Sequence, residues 1–303
     1  MPIDDGDLLG LNDIRRLLDD LGVDPRKSLG QNFVIDPNTI RKIVRLAGVR
    51  SGDTVVEVGP GLGSLTLGLL AAGASIVAVE KDPALAEALR SRLVGERIEI
   101  VEADALDRSW IHRVPPGSTL VANLPYNVAT TIVIDVLDHV PAIERLLVMV
   151  QREVADRMVA SVGDSAYGLP SVRIARRGVA QRVALVGPDV FWPRPRVDSA
   201  LVDIRRHETH VAGSSPHVSS RDVSSLGTAG DRWFDRVVKV GFAQRRKMLR
   251  RALTAVWPAA LVVEALTLAG IAPESRAEEL TVGDWLDLSA ALAAISESAE
   301  ANT

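Results

Sequence analysis

Between residues 54 and 160, short runs rich in Val and Ile alternate with stretches of helical periodicity, and this alternation limits the fold more than any other feature. Thr54–Val58, Ser75–Val79, Arg97–Val101, Ser118–Ala122 and Arg145–Val150 read as strands. Ser64–Ala72, Pro83–Leu93, Ala129–Leu137 and Glu153–Ala160 read as helices. Strands separated by helices cannot form hairpins. They pair by crossovers, which predicts an α/β fold with a mostly parallel sheet and helices on both faces. Ligands in such a fold bind beyond the carboxyl ends of the strands. Asp36-Pro37 and Asp82-Pro83 each supply a helix N-cap and a proline for the first turn. Ile40, Ile43, Val44 and Ala47 then recur at helical spacing.

Residues 8–21 predict a short acidic helix stopped at Asp24-Pro25, with a loop from Arg26 to Phe33. Val179–Val186 and Ala200–Ile204 read as closing strands. Residues 208–230 are rich in Ser, Gly, His and Val without periodicity and read as a flexible linker. Beyond them Trp233–Val240, Lys247–Val256, Leu261–Leu268 and Asp284–Ala294 read as helices. The expected division is an α/β domain over 1–206 and, over 207–303, the linker with a small all-α domain.

Several classes drop out on composition. No apolar run approaches the roughly 20 residues of a membrane span. The N-terminus lacks the basic start and apolar stretch of a secretory signal, so a cytoplasmic protein is expected. With no cysteine there are no disulfides and no thiolate metal sites, and no metal is expected. The net charge of −4 conceals sorting along the chain. Residues 1–25 carry two Arg and seven Asp, net −5; residues 232–251 carry eight Arg or Lys and one Asp, net +7. Residues 252–303 carry one Arg and eight acids, net −7. The basic segment is therefore the expected phosphate-facing part of the chain.

Val55-Val56-Glu57-Val58-Gly59-Pro60-Gly61-Leu62-Gly63-Ser64 runs from a strand through a glycine-rich turn into a helix. Glycines let the backbone approach a ligand, and the helix start offers free N–H groups. Dinucleotide folds want a third glycine where Ser64 stands, and the Lys-Ser/Thr of a phosphate-binding P-loop is missing. The acidic Glu57 and the Gly59, Gly61, Gly63 spacing instead resemble the first motif of class I methyltransferases. Glu80 ends the second strand, 21 residues after Gly59, where an acid can accept from both ribose hydroxyls of a nucleoside. Asp104 follows the third strand, where it can accept from an adenine amino group.

Asn123-Leu124-Pro125-Tyr126 follows the fourth strand. An adenine amino nitrogen is a poor nucleophile because its lone pair is delocalised into the ring. Acceptors on its two hydrogens, the Asn123 side-chain oxygen and the Leu124 carbonyl, can localise that pair. Pro125 fixes the turn, and Tyr126 can stack on a flipped base.

Together these segments resemble the ribosomal RNA adenine dimethyltransferase family, in particular its small-subunit enzymes, from about Arg26 to Trp285. Further motifs carry the likeness: Gly30-Gln31-Asn32-Phe33, Gln151-Arg152-Glu153-Val154-Ala155-Asp156-Arg157, Phe191–Ala200 and Phe242-Ala243-Gln244-Arg245-Arg246-Lys247. The resemblance implies a class I methyltransferase fold and S-adenosylmethionine as methyl donor, contacted by Asn32, Val34, Gly59, Gly61, Glu80, Asp104 and Asn123. It implies that Asn123, Leu124, Pro125 and Tyr126 hold the target adenine and that Phe191 faces the base from the other side. RNA would be held by Arg152, Arg157, Arg194, Arg196, Arg245, Arg246, Lys247, Arg250 and Arg251. The implied substrate is 16S rRNA in the precursor small ribosomal subunit, with a monomer dimethylating two adjacent adenosines of the 3′-terminal hairpin loop. Where family members commonly have Ile-Ser-Thr-Pro, this chain has Val128-Ala129-Thr130-Thr131, which removes any hydroxyl role at position 129. The alternatives are a large-subunit enzyme of the macrolide-resistance type, a non-catalytic nucleic-acid-binding factor on the same fold, and a DNA adenine methyltransferase. The Phe242–Lys247 segment favours the small-subunit side, and the complete acceptor tetrapeptide favours catalysis.

Overall fold

The computed structural model describes residues 3–22, 32–207 and 228–301. Gly30 and Gln31 of the predicted donor motif, and 208–227 of the predicted linker, lie outside the described residues. The chain forms two compact units: Met1–Val159 with Val179–Arg206, and Ala160–Gly178 with His207–Thr303.

The first unit contains α1 (Leu11–Leu21), β1 (Phe33–Val34), α2 (Pro37–Ala47), β2 (Thr54–Val58), α3 (Ser64–Ala71) and β3 (Ser75–Glu80). It continues with α4 (Pro83–Arg92), β4 (Ile98–Glu102), β5 (Ser118–Asn123), α5 (Ala129–His139), β6 (Ile143–Gln151) and α6 (Arg152–Val159). After the excursion into the second unit come β7 (Gly178–Val186), β8 (Phe191–Trp192) and β9 (Ser199–Arg206). Seven strands form one sheet in the order β4-β3-β2-β5-β6-β9-β7. β2 pairs parallel with β3 and β5, β3 with β4, and β5 with β6; β9 runs antiparallel to β6. The mostly parallel α/β architecture expected from the alternation is thus present. From β2 the chain winds outward through β3 and β4, then returns to β5 on the other flank. That reversal is a topological switch point, and it opens a crevice at the strand ends.

Both Asp-Pro starts behave as the sequence predicts. Asp36 accepts from the N–H groups of Asn38 (3.2 Å) and Thr39 (3.0 Å), and Asp82 accepts from Ala84 N–H at 3.0 Å. α3 is apolar almost all round because it lies buried in the core. Its Gly68 has a packing reason: a Cβ there would stand 2.4 Å from Ile40 Cγ2 of α2. A short ribbon was not foreseen: β1 pairs antiparallel with β8, setting Phe33 opposite Trp192 and Val34 opposite Phe191. Two-residue strands are too short for any periodicity to reveal.

The second unit holds α7 (Leu169–Arg177), α8 (Thr228–Phe242), α9 (Leu249–Leu253), α10 (Ala259–Leu268) and α11 (Val282–Ala301). Its core includes Val172, Phe234, Val238, Leu253, Trp257 and Trp285. Buried Arg176 lies over the Phe234 ring, 4.2 Å from its centroid, and pairs with Asp231. The Tyr167 hydroxyl donates to the Leu280 carbonyl at 2.8 Å, and desolvation pushes its pKa up to about 12.

Three expectations need correcting. The boundary at residue 206 omits an excursion: Ala160–Gly178, with α7, belongs to the helical unit. Residues 228–230, read as linker, start α8. The predicted helix over Lys247–Val256 shrinks to Leu249–Leu253, so Arg245, Arg246 and Lys247 occupy a turn between α8 and α9. Directly after that turn, Met248 forms an antiparallel bridge with Arg276. No helix among the described residues is long and apolar enough to cross a membrane.

Candidate active site

A cleft at the switch point is lined by residues from the ends of β1 to β5, including Asn32, Val34, Glu57, Gly59, Glu80, Asp104 and Asn123–Val128. The turn after β2 bends sharply: Gly59, Gly61 and Gly63 all have left-handed φ, at 69°, 57° and 85°. At Gly61 there is also no room, since a Cβ would approach Phe33 Cε1 to 2.9 Å. Arg92 Nη2 steadies the loop by donating to the Leu62 carbonyl at 2.8 Å.

Glu80 is buried at the end of β3. Its two oxygens accept from Gly61 N–H (3.0 Å) and Asp82 N–H (2.9 Å). Desolvation raises its pKa, although those N–H groups pull the other way. Glu57, one strand over, is fully enclosed and accepts from Thr66 Oγ1 at 2.7 Å. Burial, abetted by the nearby Glu80 charge, raises its pKa to about 8. Asp104 is half-exposed and accepts from Lys81 Nζ (2.7 Å) and Leu106 N–H (3.0 Å); Lys81 above all keeps its pKa low. Ser64, at the start of α3, also lines the cleft, and its buried Oγ has no hydrogen-bond partner among the described residues. Among the described residues no cluster of three His, Asp or Glu could hold a metal ion.

The acceptor tetrapeptide forms the opposite wall. Asn123 Nδ2 donates to the Asn32 carbonyl at 2.8 Å, which leaves Oδ1 as the acceptor of that amide, without a partner among the described residues. Leu124 N–H donates to the Met149 carbonyl at 3.1 Å, tying the turn to β6. The Tyr126 hydroxyl bonds Ser199 Oγ at 2.7 Å, so the ring is pinned from the first residue of β9. Desolvation raises the Tyr126 pKa.

The structure thus gathers Asn32, Val34, Gly59, Gly61, Glu80, Asp104 and Asn123–Tyr126 into one cleft. Phe191 is different. It was expected to face the base, but its ring is 2% exposed, is packed in the core and is not part of the cleft lining. In β8 it stands opposite Val34, in the same core cluster. Of the expected RNA-binding arginines in this unit, Arg152 stands near Asp156 and Asp198, Arg157 pairs with Glu153 and Arg194 with Asp189. Arg196 is exposed. In the helical unit Arg245 is held by Glu278 (2.9 Å) and the Ser165 carbonyl (2.8 Å), whereas Arg246, Lys247, Arg250 and Arg251 are exposed. Sequence reasoning assigned no role to Ser199, Thr66, Lys81 or Arg92. Ser199 lies inside a motif already noted, but its partner is 73 residues away, and local pattern carries no sign of that contact.

The family model described as "Ribosomal RNA adenine dimethylase" matches residues 23–294. The chain belongs to the ribosomal RNA adenine dimethylase family. Among its relatives is the ribosomal RNA small subunit methyltransferase A of Bifidobacterium longum subsp. infantis, 45% identical, covering 98% of this chain and 97% of the relative. The protein of the same name from Cutibacterium acnes is 48% identical over 94% of this chain and 95% of its own. Among solved structures, a dimethyladenosine transferase from Plasmodium falciparum shares the fold with a TM-score of 0.65 and 24% identity, covering 84% of this chain and 95% of that one. The 23S rRNA methyltransferase ErmE matches with a TM-score of 0.58 and 27% identity, over 86% and 99%. Family membership and the β4-β3-β2-β5-β6-β9-β7 sheet agree with the class I methyltransferase architecture expected from the glycine loop.

Proposed function

We propose that this chain transfers methyl groups from S-adenosylmethionine to the exocyclic amino nitrogens of two adjacent adenosines in the 3′-terminal hairpin loop of 16S rRNA. Its substrate is the precursor small ribosomal subunit in the cytoplasm. The observation that carries the reading is the orientation of Asn123: with Nδ2 committed to the Asn32 carbonyl, Oδ1 is available to accept from an amine beside the glycine turn.

The cleft suits the proposed donor. Gly61 leaves a cradle that a side chain would fill, Glu80 offers buried carboxylate oxygens, and the buried Ser64 Oγ has no partner among the described residues. In this reading Glu80 accepts from the ribose hydroxyls, Asp104 from the adenine amino group, and the backbone at Val34, Gly59 and Gly61 closes around the remainder. When bound, the donor supplies an electrophilic methyl carried on a sulfonium centre.

Asn123 Oδ1 and the Leu124 carbonyl accept from the two hydrogens of the target amine and turn its lone pair out of the ring plane. Pro125 holds φ of that turn fixed. Tyr126, anchored through Ser199, presents its ring to the base, a stack worth about 1–3 kcal/mol. Held in this way, the amine would face the methyl that the bound donor supplies, and the proton it sheds would leave to water. Orientation and not general-base chemistry then provides most of the acceleration. The exposed Arg196, Arg246, Lys247, Arg250 and Arg251 are assigned to RNA phosphates, as are Arg152, Arg157 and Arg194.

The proposed test is methyl incorporation into purified precursor small subunits, with mass spectrometry of the RNA. Dimethyladenosine at two neighbouring positions is expected. Modification confined to large-subunit RNA would transfer the chain to the resistance-type branch. A lack of methyl transfer despite RNA binding would point to a non-catalytic factor.

A further inference from the structure

The loop after β4 carries one wall of the cleft, through Ala103, Asp104, Ala105 and Leu106. It is closely restrained. Ala103 N–H donates to the Glu80 carbonyl at 3.0 Å, and the fully buried Trp110 donates its Nε1–H to the Ala105 carbonyl at 3.0 Å. Between these anchors stands Arg108, the sole residue other than glycine with positive φ among the described residues, at 61°. A long side chain rarely adopts this conformation and persists in it only where its surroundings demand it.

The Arg108 side chain reaches α5. Arg108 Nε lies 3.1 and 3.2 Å from the two Asp135 carboxylate oxygens, and Nη2 lies 2.6 Å from Oδ1. Asp135 is largely buried and has His139 Nδ1 3.2 Å away as a second neighbour. α5 begins directly after the acceptor turn, and its Ile132, three residues before Asp135, lines the same cleft. One bidentate pair therefore spans from the wall that follows β4 to the helix that carries the acceptor turn.

We propose that Arg108 and Asp135 are positioning residues for methyl transfer, fixing the donor-side wall of the cleft against the acceptor helix. The proposal rests on the methyltransferase reading above. Reaction in line tolerates little misplacement, and a shift of about 1 Å can cost on the order of a hundredfold in rate. A pair that locks the two walls together acts on turnover, while the contacts that hold each substrate separately remain intact.

Arg108→Gly is the informative variant, because glycine accepts the left-handed φ and removes only the side-chain tie. Turnover should fall by about tenfold or more, with donor affinity by calorimetry and the KM for precursor subunits changing less than about threefold. Its melting temperature should stay near that of the unaltered chain. Asp135→Asn should behave alike, and the double variant should lose no more than the worse single. Pairing Arg108→Asp with Asp135→Arg should recover part of the rate. Wild-type turnover in Arg108→Gly would overturn the proposal, as would a loss that merely follows a lowered melting temperature. If the unaltered chain itself transfers no methyl group, the methyltransferase reading fails and this proposal falls with it, whatever the variants do.

Discussion

Asn123 Nδ2 donates to the backbone carbonyl of Asn32 across 91 positions of sequence, and this bond decides which end of the amide faces the target. Replacing Asn123 by Ala should cut turnover by about a hundredfold or more while RNA affinity changes little. Asn123→Asp should also fail, because a carboxylate cannot donate to the Asn32 carbonyl and would repel it. Single-turnover rates alongside filter-binding affinities check both. Turnover within a few-fold of normal for Asn123→Ala would remove this residue from the mechanism.

Glu80 accepts from Gly61 and Asp82 and is expected to accept from the donor's ribose as well. Hydrogen bonds to a charged group contribute about 1.5–3 kcal/mol each. Glu80→Ala should therefore weaken S-adenosylmethionine binding by two orders of magnitude or so, with Glu80→Gln intermediate. Calorimetry showing unchanged affinity would confine Glu80 to bracing the glycine turn.

Glu57 should make the donor-free protein sensitive to pH. Its pKa is about 8 when folded against an ordinary value of 4.5, so the folded state keeps a proton that the unfolded chain has released. The associated stability is fully present below pH 4.5, declines as pH rises to about 8, and changes no further above that. The total is on the order of several kcal/mol. Glu57→Gln keeps an acceptor for Thr66 and should flatten the decline in urea unfolding series taken across that window. A slope identical to the unaltered protein would show that another group titrates.

Tyr126 and Ser199 separate stacking from anchoring. Tyr126→Phe and Ser199→Ala each remove the 2.7 Å hydroxyl bond, worth about 0.5–1.5 kcal/mol, and should lower turnover only by roughly tenfold or less. Tyr126→Ala removes the ring too and should cost considerably more. Equal rates for the Phe and Ala variants would exclude a stacking role.

The salt dependence of RNA binding should report on the exposed basic residues of the helical unit. Replacing Arg246, Lys247, Arg250 and Arg251 by Ala should reduce the slope of log affinity against log salt by about 0.7 per lost phosphate contact. Arg245→Ala should act mainly on thermal stability, because its guanidinium is engaged by Glu278 and the Ser165 carbonyl. An unchanged slope in the fourfold variant would move the phosphate footprint elsewhere.

The glycine turn, the strand-end acid and the acceptor tetrapeptide were readable because each consists of neighbouring residues whose chemistry is local. The sheet was readable because crossover helices leave a long periodic trace. What escaped depends on contacts between distant residues. Phe191 reads as a site aromatic, but its ring lies in the core cluster with Val34, its partner in a two-residue ribbon. Lys247 and Met248 read as the start of a helix, but the helix begins at Leu249, after Met248 has bridged to the distant Arg276. The Ser199 anchor and the Arg108–Asp135 tie join segments 73 and 27 residues apart, and nothing in either segment announces the other.

The path of the chain through its two units restricts how the protein can be shortened. The backbone leaves the first unit after Val159, builds α7, returns at Val179 to supply β7 to β9, and leaves for good after Arg206. A stop codon after Arg206 would therefore spare the whole seven-stranded sheet yet strand α7, whose Val172 and Arg176 would lose α8 and its Phe234 and Asp231. The catalytic half cannot be inherited as a simple N-terminal fragment. Any lineage that sheds the helical half must also rewrite the segment from 160 to 178.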